Sequence, residues 1–211
     1  MACHLPPTIA MVTLGTLPTY LLGLRGWPVA IVAFAVLAGQ LTVGWSNDYL
    51  DADLDRRSNR EIKPVVRDSL DEKLLILPMA IAATLLIPLS FAAAGLWGGL
   101  SHIVAVACAW SYNLFFARTI FSWAPYTISF ALVPIFIYQS VSRNLLPTPL
   151  LVLLAGIAGI IIHLINAYTD IDIDRKSEIG GVAVVLGKTR TIGLAAFLTS
   201  VAFALLIILI I

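Results

Sequence analysis

The stretch PLLVLLAGIAGIIIHLINAYTDIDIDR occupies residues 149–175, and its character changes once along its length. Residues 149–169 carry no charged side chain, and a helix of that length rises about 31 Å at about 1.5 Å per residue. The hydrocarbon layer of a bilayer is about 30 Å thick. Three aspartates and an arginine then follow within residues 170–175. The stretch therefore predicts a membrane-spanning helix that ends in a strongly acidic segment.

The composition of the whole chain agrees with that prediction. Of its 211 residues, 60% are hydrophobic and 12% are charged, and the mean hydropathy is +0.96. Soluble domains carry roughly 25% charged residues, so this chain has too few charges to cover a water-exposed surface. The net charge of +1, without a basic arm, gives no reason to expect nucleic acid as a partner. We predict an integral membrane protein in contact with lipid.

Seven apolar runs are long enough to be read as spans, although Pro and Gly interrupt several of them. We place them at residues 8–24, 28–46, 74–95, 98–116, 124–141, 149–169 and 191–211. The predicted fold class is all-α: a polytopic membrane bundle of about seven transmembrane helices around a central cavity. We expect residues 1–211 to form a single domain.

The positions of the charges predict how this bundle is oriented. All 12 acidic residues fall in two windows, 48–72 and 170–178. Seven spans place both windows on one side of the membrane, together with 11 of the 13 basic residues; only Arg25 and Arg143 lie on the other side. Because basic loops stay in the cytoplasm, we predict that both acidic windows and the N-terminus are cytoplasmic.

The first acidic window follows the second span and begins with Asn47 and Asp48. If the helix continues, about 100° per residue places Asp48, Asp51 and Asp55 within an arc of about 60°, while Asp53 points away. Three carboxylates on one face repel one another unless a cation neutralises them. Carboxylate oxygens, completed by water and phosphate, are the ligands that Mg²⁺ takes. The pattern predicts a Mg²⁺ site.

The second window repeats this arrangement at the end of the sixth span. Asn166, Asp170, Asp174 and Glu178 are spaced by four and share one stripe, and Asp172 faces away. Two such stripes facing each other across a cavity would hold two metal ions bridged by a diphosphate. Basic residues that follow the windows would add positive charge for the phosphate oxygens: Lys63, Arg67, Arg175 and Lys188.

A charge run more often forms a solvated loop with salt bridges, and this interpretation applies to some of these side chains. We assign it to Asp53, Asp172, Arg57, Asp68, Asp71 and Glu72. For the aspartates on the two stripes we favour the functional interpretation, since two separate helices carry the same asparagine-plus-aspartate pattern at the same predicted membrane depth. His163, in an apolar helix, is interpreted as a hydrogen-bonded structural residue, with catalysis as the alternative.

These residues resemble the motifs of the UbiA superfamily of intramembrane prenyltransferases. The segment Asn47-Asp48-x-x-Asp51-x-x-x-Asp55 matches the family's first motif, and Lys63-Pro64 resembles the basic residue and proline that follow it. Asp170-x-x-x-Asp174 with Gly187 downstream resembles the second motif. Tyr112-Asn113 with Arg118-Thr119 resembles the polar patch at the end of the fourth helix.

The resemblance implies a Mg²⁺-dependent transfer of an isoprenoid group from a prenyl diphosphate to a small, typically aromatic, acceptor. It implies metal ligation by Asp48, Asp51, Asp55, Asp170 and Asp174. It further implies that Asp51, Asp174 and Lys63 are catalytic, and that the substrate is held by Asn47, Lys63, Arg67, Tyr112, Arg118 and Asn166.

Other functions remain open at this point. A terpene cyclase would use the same diphosphate site without an acceptor. A divalent-cation-binding or transport protein, or a non-catalytic remnant, would also carry intramembrane carboxylates. Two departures from the family are visible. Its members have about nine helices, whereas seven spans are predicted here, so a homo-oligomer or a helper subunit is one way to close the cavity. In addition, Ala117 replaces a basic residue of the family, and Arg118 lies next to it.

Overall fold

A computed structural model of the protein describes residues 5–57, 66, 71–176 and 180–211. Seven α-helices and no β-strand occur in these residues. They are α1 (Leu5–Leu21), α2 (Trp27–Leu50), α3 (Ala52–Arg57), α4 (Ile76–Ser111), α5 (Trp123–Val141), α6 (Pro149–Lys176) and α7 (Val182–Ile210). A 3₁₀ turn, Glu72–Leu75, precedes α4, and a π-helical turn, Tyr112–Phe116, follows it.

Within the described ranges, five helical segments are long and apolar enough to cross a membrane. They are Trp27–Leu50, Glu72–Phe116, Trp123–Val141, Pro149–Arg175 and Val182–Ile210. Helix α1 has 17 residues and rises about 26 Å, slightly less than the hydrocarbon thickness. The predicted all-helical membrane fold is confirmed.

Helix α4 contains two of the predicted spans because the chain reverses direction at Gly95. The hydroxyl oxygen of Ser90 lies 2.8 Å from Nδ1 of His102, whereas 12 residues of straight helix would separate these positions by about 18 Å. Gly99 packs so closely on Phe91 that an added Cβ would lie 3.0 Å from the Phe91 Cα. Gly95 has φ 66°, a conformation that favours glycine. Residues 76–94 and 96–111 are therefore two helices packed side by side.

Arg143 stabilises this reversal from the end of α5. Its Nη1 donates to the carbonyl oxygens of Ala93 and Gln139, both at 2.8 Å, and its Nη2 donates to that of Ala92 at 3.2 Å. The last carbonyls of a helix have no intrahelical partner, and the negative end of the helix dipole favours a cation there. One guanidinium thus caps the carboxyl ends of two helices.

Helix α7 also changes direction near its start, at Gly187 with φ 73°. The Thr191 hydroxyl donates to the carbonyl oxygen of Ala183 at 3.3 Å, although eight residues of straight helix would span about 12 Å. A short helix, residues 182–186, therefore precedes the long apolar helix of residues 188–210. This break explains why the apolar pattern alone placed the last span at 191–211.

The chain forms two compact units, Met1–Val106 with Phe136–Leu146, and Ala107–Ile135 with Pro147–Ile211. The core of the first unit consists of Val32, Ala35, Val36, Ala93, Ala94 and Phe136. In the second unit, Leu164 and Ile171 of α6 are buried, and Gly159 packs against the backbone of Tyr126. Large apolar side chains lie exposed in both units, as lipid contact requires; among them are Leu21, Leu77, Phe197 and Ile210.

Candidate functional site

The first acidic stripe lies in the first unit, where α2 continues into α3 with helical hydrogen bonding. The Asp51 amide donates to the Asn47 carbonyl at 3.0 Å, and the Asp55 amide donates to the Asp51 carbonyl at 2.8 Å. The chain therefore keeps the period of a helix through the junction, as the predicted stripe requires. The Asn47 side-chain amide donates to Oδ2 of Asp51 at 2.8 Å, which orients both groups.

Burial separates the aspartates of this motif as the helical period predicts. Asp48 and Asp55 are fully buried, and Asp51 is half-buried. The Asp53 side chain is 84% exposed and pairs with Arg56 at 3.5 Å. Burying a carboxylate is costly unless positive charge or hydrogen-bond donors surround it. Asp48, Asp51 and Asp55 thus share the inward face of the motif, and Asp53 lies on the surface.

Arg56 connects the end of the motif to the start of α4. Its guanidinium donates to the Glu72 carboxylate, and this hydrogen bond raises the pKa of Arg56. Asp71 accepts from the Lys73 amide at 3.0 Å and caps the 3₁₀ turn. Asp53, Asp71 and Glu72 therefore serve surface pairing and capping, which agrees with the interpretation of these three as salt-bridge and loop residues.

The second acidic stripe lies in the second unit on α6, which runs without interruption to Lys176. At about 100° per residue, Asn166, Asp170 and Asp174 fall within about 80° on one side of the helix. Asp170 and Asp174 are half-buried, and Asn166 is exposed. The helix carries this stripe in its last three turns, continuous with the apolar span.

The opposite side of α6 is occupied by the start of α7. Asp172 accepts from Lys188 at 2.5 Å, and the ammonium group lies 6.0 Å from the Tyr168 ring centroid. Arg175 donates to the carbonyl oxygen of Val184 at 3.4 Å. Since Asp172 lies about 180° from the stripe on the helix, Lys188 and Arg175 serve helix packing here. The break at Gly187 precedes Lys188, and both bases lie on the side of α6 away from the stripe. That they add positive charge for the phosphate oxygens stays a prediction.

An aromatic and polar cluster surrounds the same face of α6 one turn before Asn166. His163 is 2% exposed; its ring centroid lies 5.7 Å from that of Tyr112 and 5.0 Å from that of Tyr126. Nε2 of His163 lies 3.0 Å from the hydroxyl oxygen of Ser122. Sequence reasoning named Tyr112 and His163 but missed Ser122 and Tyr126, which precede or begin an apolar span and carry no motif signal.

Arg118, another predicted substrate residue, lies next to the segment that follows the second stripe. Its carbonyl oxygen is so close to Gly180 that no side chain would fit at that position. The structure thus brings Tyr112, the Arg118 backbone, Asn166, Asp170 and Asp174 into one unit. Asn47, Asp48, Asp51 and Asp55 share the other unit.

The sequence profile of the UbiA prenyltransferase family matches residues 5–211 of the chain. The chain belongs to that family. Two solved UbiA homologues share its fold. One, from Archaeoglobus fulgidus and bound to GPP and Mg²⁺, has a TM-score of 0.80 and 14% identity, covering 97% of this chain and 74% of that chain. The other, an apo structure from Aeropyrum pernix K1, has a TM-score of 0.73 and 17% identity, covering 95% and 77%. No curated protein matches the sequence.

The donor atoms of this UbiA family member suit a hard divalent cation. Each stripe offers carboxylate oxygens and one asparagine amide, which are Mg²⁺ ligands, and the fully buried Asp48 and Asp55 favour a cationic neighbour. Among the described residues, no three acidic, histidine or cysteine side chains converge on one point. Carboxylate oxygens, completed by oxygens from water and phosphate, are the ligands that Mg²⁺ takes. Lys63, Arg67 and Glu178 lie outside the described residues.

Proposed function

We propose that this UbiA family protein transfers a prenyl group from a prenyl diphosphate to a small acceptor within the membrane, in a Mg²⁺-dependent reaction. The observation that carries the proposal is the pair of asparagine-plus-aspartate stripes, each continuous with a helix of membrane-spanning length. The solved homologue that holds GPP and Mg²⁺ has the same fold, which supports this substrate class.

The reaction breaks the bond between the allylic carbon and the diphosphate oxygen, and the electron pair leaves with the diphosphate. The acceptor attacks the allylic carbon and loses a proton. When bound, Mg²⁺ neutralises the charge that develops on the leaving diphosphate. We assign metal binding to Asp48, Asp51 and Asp55 on the first stripe, and to Asp170 and Asp174 on the second.

The other residues would hold and orient the substrate. Asn47 orients Asp51 through its amide, as the 2.8 Å hydrogen bond indicates, and we assign Asn166 the matching place on α6. We assign Lys63 and Arg67 to the diphosphate oxygens, where cations stabilise the departing charge. Tyr112 and Arg118 would contact the prenyl group or the acceptor, and we propose an aromatic ring as that acceptor. Lipid-facing helices around the site would exclude water from the allylic cation.

The test follows pyrophosphate release by the purified protein in nanodiscs, with prenyl diphosphates of several lengths, with and without EDTA. Asp51→Asn and Asp174→Asn remove one carboxylate from each stripe, and we expect each to lower the rate at least about a hundredfold, the scale of losing a transition-state charge interaction. Asp53→Asn and Asp172→Asn are matched controls on the same helices, and they should retain most of the activity.

Parallel reactions with and without candidate aromatic acceptors, analysed by mass spectrometry, separate prenyl transfer from cyclisation. A prenylated acceptor supports the proposal. A cyclised hydrocarbon formed without an acceptor would replace it with terpene cyclisation. Absence of release from the folded wild-type protein at every chain length, or equal rates in the stripe variants and their controls, would contradict it.

A further inference from the structure

A buried polar relay joins three separate parts of the second unit. The hydroxyl oxygen of Ser122, just before α5, lies 3.0 Å from Nε2 of His163 in α6. The same oxygen accepts from the backbone amide of Val182, the first residue of α7, at 3.3 Å. Ser122 is 1% exposed and His163 is 2% exposed. The two contacts bridge 41 and 60 residues of sequence.

The hydroxyl of Ser122 can make both contacts at once, because it has one proton to donate and two lone pairs that accept. Its oxygen accepts from the Val182 amide. Its contact with Nε2 of His163 is a hydrogen bond in either neutral tautomer of the imidazole: Ser122 donates to an unprotonated Nε2, or a protonated Nε2 donates to Ser122. The amide of Val182 has no intrahelical partner at the helix start, so Ser122 satisfies it.

On α6, this relay lies about one helical turn before the second acidic stripe. On α6, His163 falls about 60° from Asn166 and about 20° from Asp170, on the same face. Tyr112 and Tyr126 pack their rings against His163. Two residues that follow the stripe contact the loop of residues 117–122. Gly180 packs against the Arg118 carbonyl, and the Val182 amide donates to Ser122.

We infer that Ser122 and His163 are positioning residues for diphosphate binding: they fix the start of α7 at Val182 and the face of α6 that carries Asn166, Asp170 and Asp174. This inference rests on the proposed function for its consequence, although the relay itself is testable without activity. A buried and a partly buried hydrogen bond share the Ser122 oxygen, so they hold α6 and the start of α7 together only when all three groups are present.

The test compares Ser122→Ala with Ser122→Thr, which keeps the hydroxyl, and with Ser200→Ala, which removes an exposed hydroxyl bonded only within its own helix. We expect Ser122→Ala to raise KM for the prenyl diphosphate about tenfold, a change of about 1.4 kcal/mol, with a smaller change in kcat. Ser122→Thr and Ser200→Ala should remain close to wild type. An unchanged KM in folded Ser122→Ala would overturn the inference.

His163→Phe keeps the aromatic packing but removes the ring nitrogen that bonds to Ser122, so it should act in the same direction as Ser122→Ala. Because both remove the same hydrogen bond, their effects on KM should be less than additive in the double variant. Full additivity would show that the two side chains act separately and would contradict a shared relay.

Two measurements do not depend on catalysis. Nitrogen-15 NMR of histidine-labelled protein should show a change in the Nε2 resonance of His163 in Ser122→Ala, and none in Ser200→Ala. Hydrogen exchange should show a protected Val182 amide in the wild type and faster exchange in Ser122→Ala, but not in Ser200→Ala. If these signatures appear and the wild type shows no diphosphate reaction, the proposed function fails and the relay stands. An unchanged Nε2 resonance in Ser122→Ala, or unchanged exchange, overturns the relay itself.

Discussion

Ser90 accepts a hydrogen bond from Nδ1 of His102 at 2.8 Å, although the two residues lie 12 positions apart, one on each side of the reversal at Gly95. The direction follows from the Ser90 hydroxyl, whose proton is given to the Leu86 carbonyl at 2.6 Å. His102 also stacks on Phe136, with ring centroids 4.5 Å apart. This buried contact locks two membrane helices into a pair that turns on a single residue, Gly95.

Gly95→Ala should therefore destabilise the protein. At φ 66° a side chain is strained, and the new Cβ would lie 2.8 Å from Cδ of Arg143. We expect a loss of about 1–3 kcal/mol, measured as a lower Tm in detergent. Gly193→Ala is the matched control, because a Cβ at that helical position would meet nothing within 4 Å. Equal Tm values for the two variants would contradict the proposed strain at Gly95.

Arg143→Lys should also lower the Tm, even though it preserves the charge. A lysine ammonium cannot present the planar fork that reaches the carbonyls of Ala92, Ala93 and Gln139 together. We expect a loss of about 1 kcal/mol, because partly buried carbonyls lose hydrogen bonds from a charged donor. Arg190→Lys, on an exposed part of α7, should have no effect. A Tm equal to wild type in Arg143→Lys would show that charge alone stabilises this end.

Two glycines of α6 provide a test of helix packing in the second unit. A Cβ at Gly159 would lie 2.5 Å from the Tyr126 carbonyl oxygen, whereas at Gly156 it would lie 3.4 Å from Cγ2 of Thr127. Small residues let membrane helices approach closely. Gly159→Ala should therefore cost about 1–3 kcal/mol of stability from overpacking, and Gly156→Ala should cost less. The reverse order of Tm values would contradict the packing of α5 on α6.

Much of the fold and of the acidic stripes was predictable from sequence because local rules determine both. The apolar run lengths located the spans, and the gap between residues 95 and 98 marked the reversal. The helical period separated Asp53 from Asp48 and Asp55, and burial confirms that separation. These features depend on neighbours within one or two helical turns.

Features that depend on distant contacts were not predictable. Ser122 contacts His163 and Val182 across 41 and 60 residues, and no local pattern identifies such a meeting. Lys188 lies near the second motif in sequence, but the break at Gly187 places it on the far side of α6. The sequence identifies Arg143 only as a lone basic residue in a short connection, since two of its three carbonyl partners, Ala92 and Ala93, come from another helix.

Ligand-induced stabilisation should separate the stripe aspartates from the surface ones. A ligand that binds only the folded state raises stability by RT ln(1 + [L]/Kd), about 2.7 kcal/mol at 100 times Kd. We expect Mg²⁺ with pyrophosphate to raise the Tm of the wild type and of Asp53→Asn, but much less in Asp51→Asn or Asp170→Asn. A similar rise in all four proteins would show that the metal binds elsewhere.

The predicted orientation can be tested by labelling single cysteines in intact cells or sealed vesicles. Asp53→Cys and Asn144→Cys place thiols at exposed positions at opposite ends of the predicted bundle. We expect a membrane-impermeant maleimide to label the residue-144 cysteine from outside, and the residue-53 cysteine only after permeabilisation. The background variant would replace Cys3 and Cys108 by serine. The opposite labelling pattern would invert the topology.

The acidic residues of α6 lie at the end of a 28-residue helix, so a tilt of the helix about its other end displaces their carboxylates. The helix is about 42 Å long, so a tilt of about 5° about one end moves the other end by about 4 Å. Helices tilt when the bilayer becomes thinner than their apolar length. The positions of Asp170 and Asp174 are therefore coupled to membrane thickness, and the lipid composition itself becomes a variable of whatever these carboxylates bind.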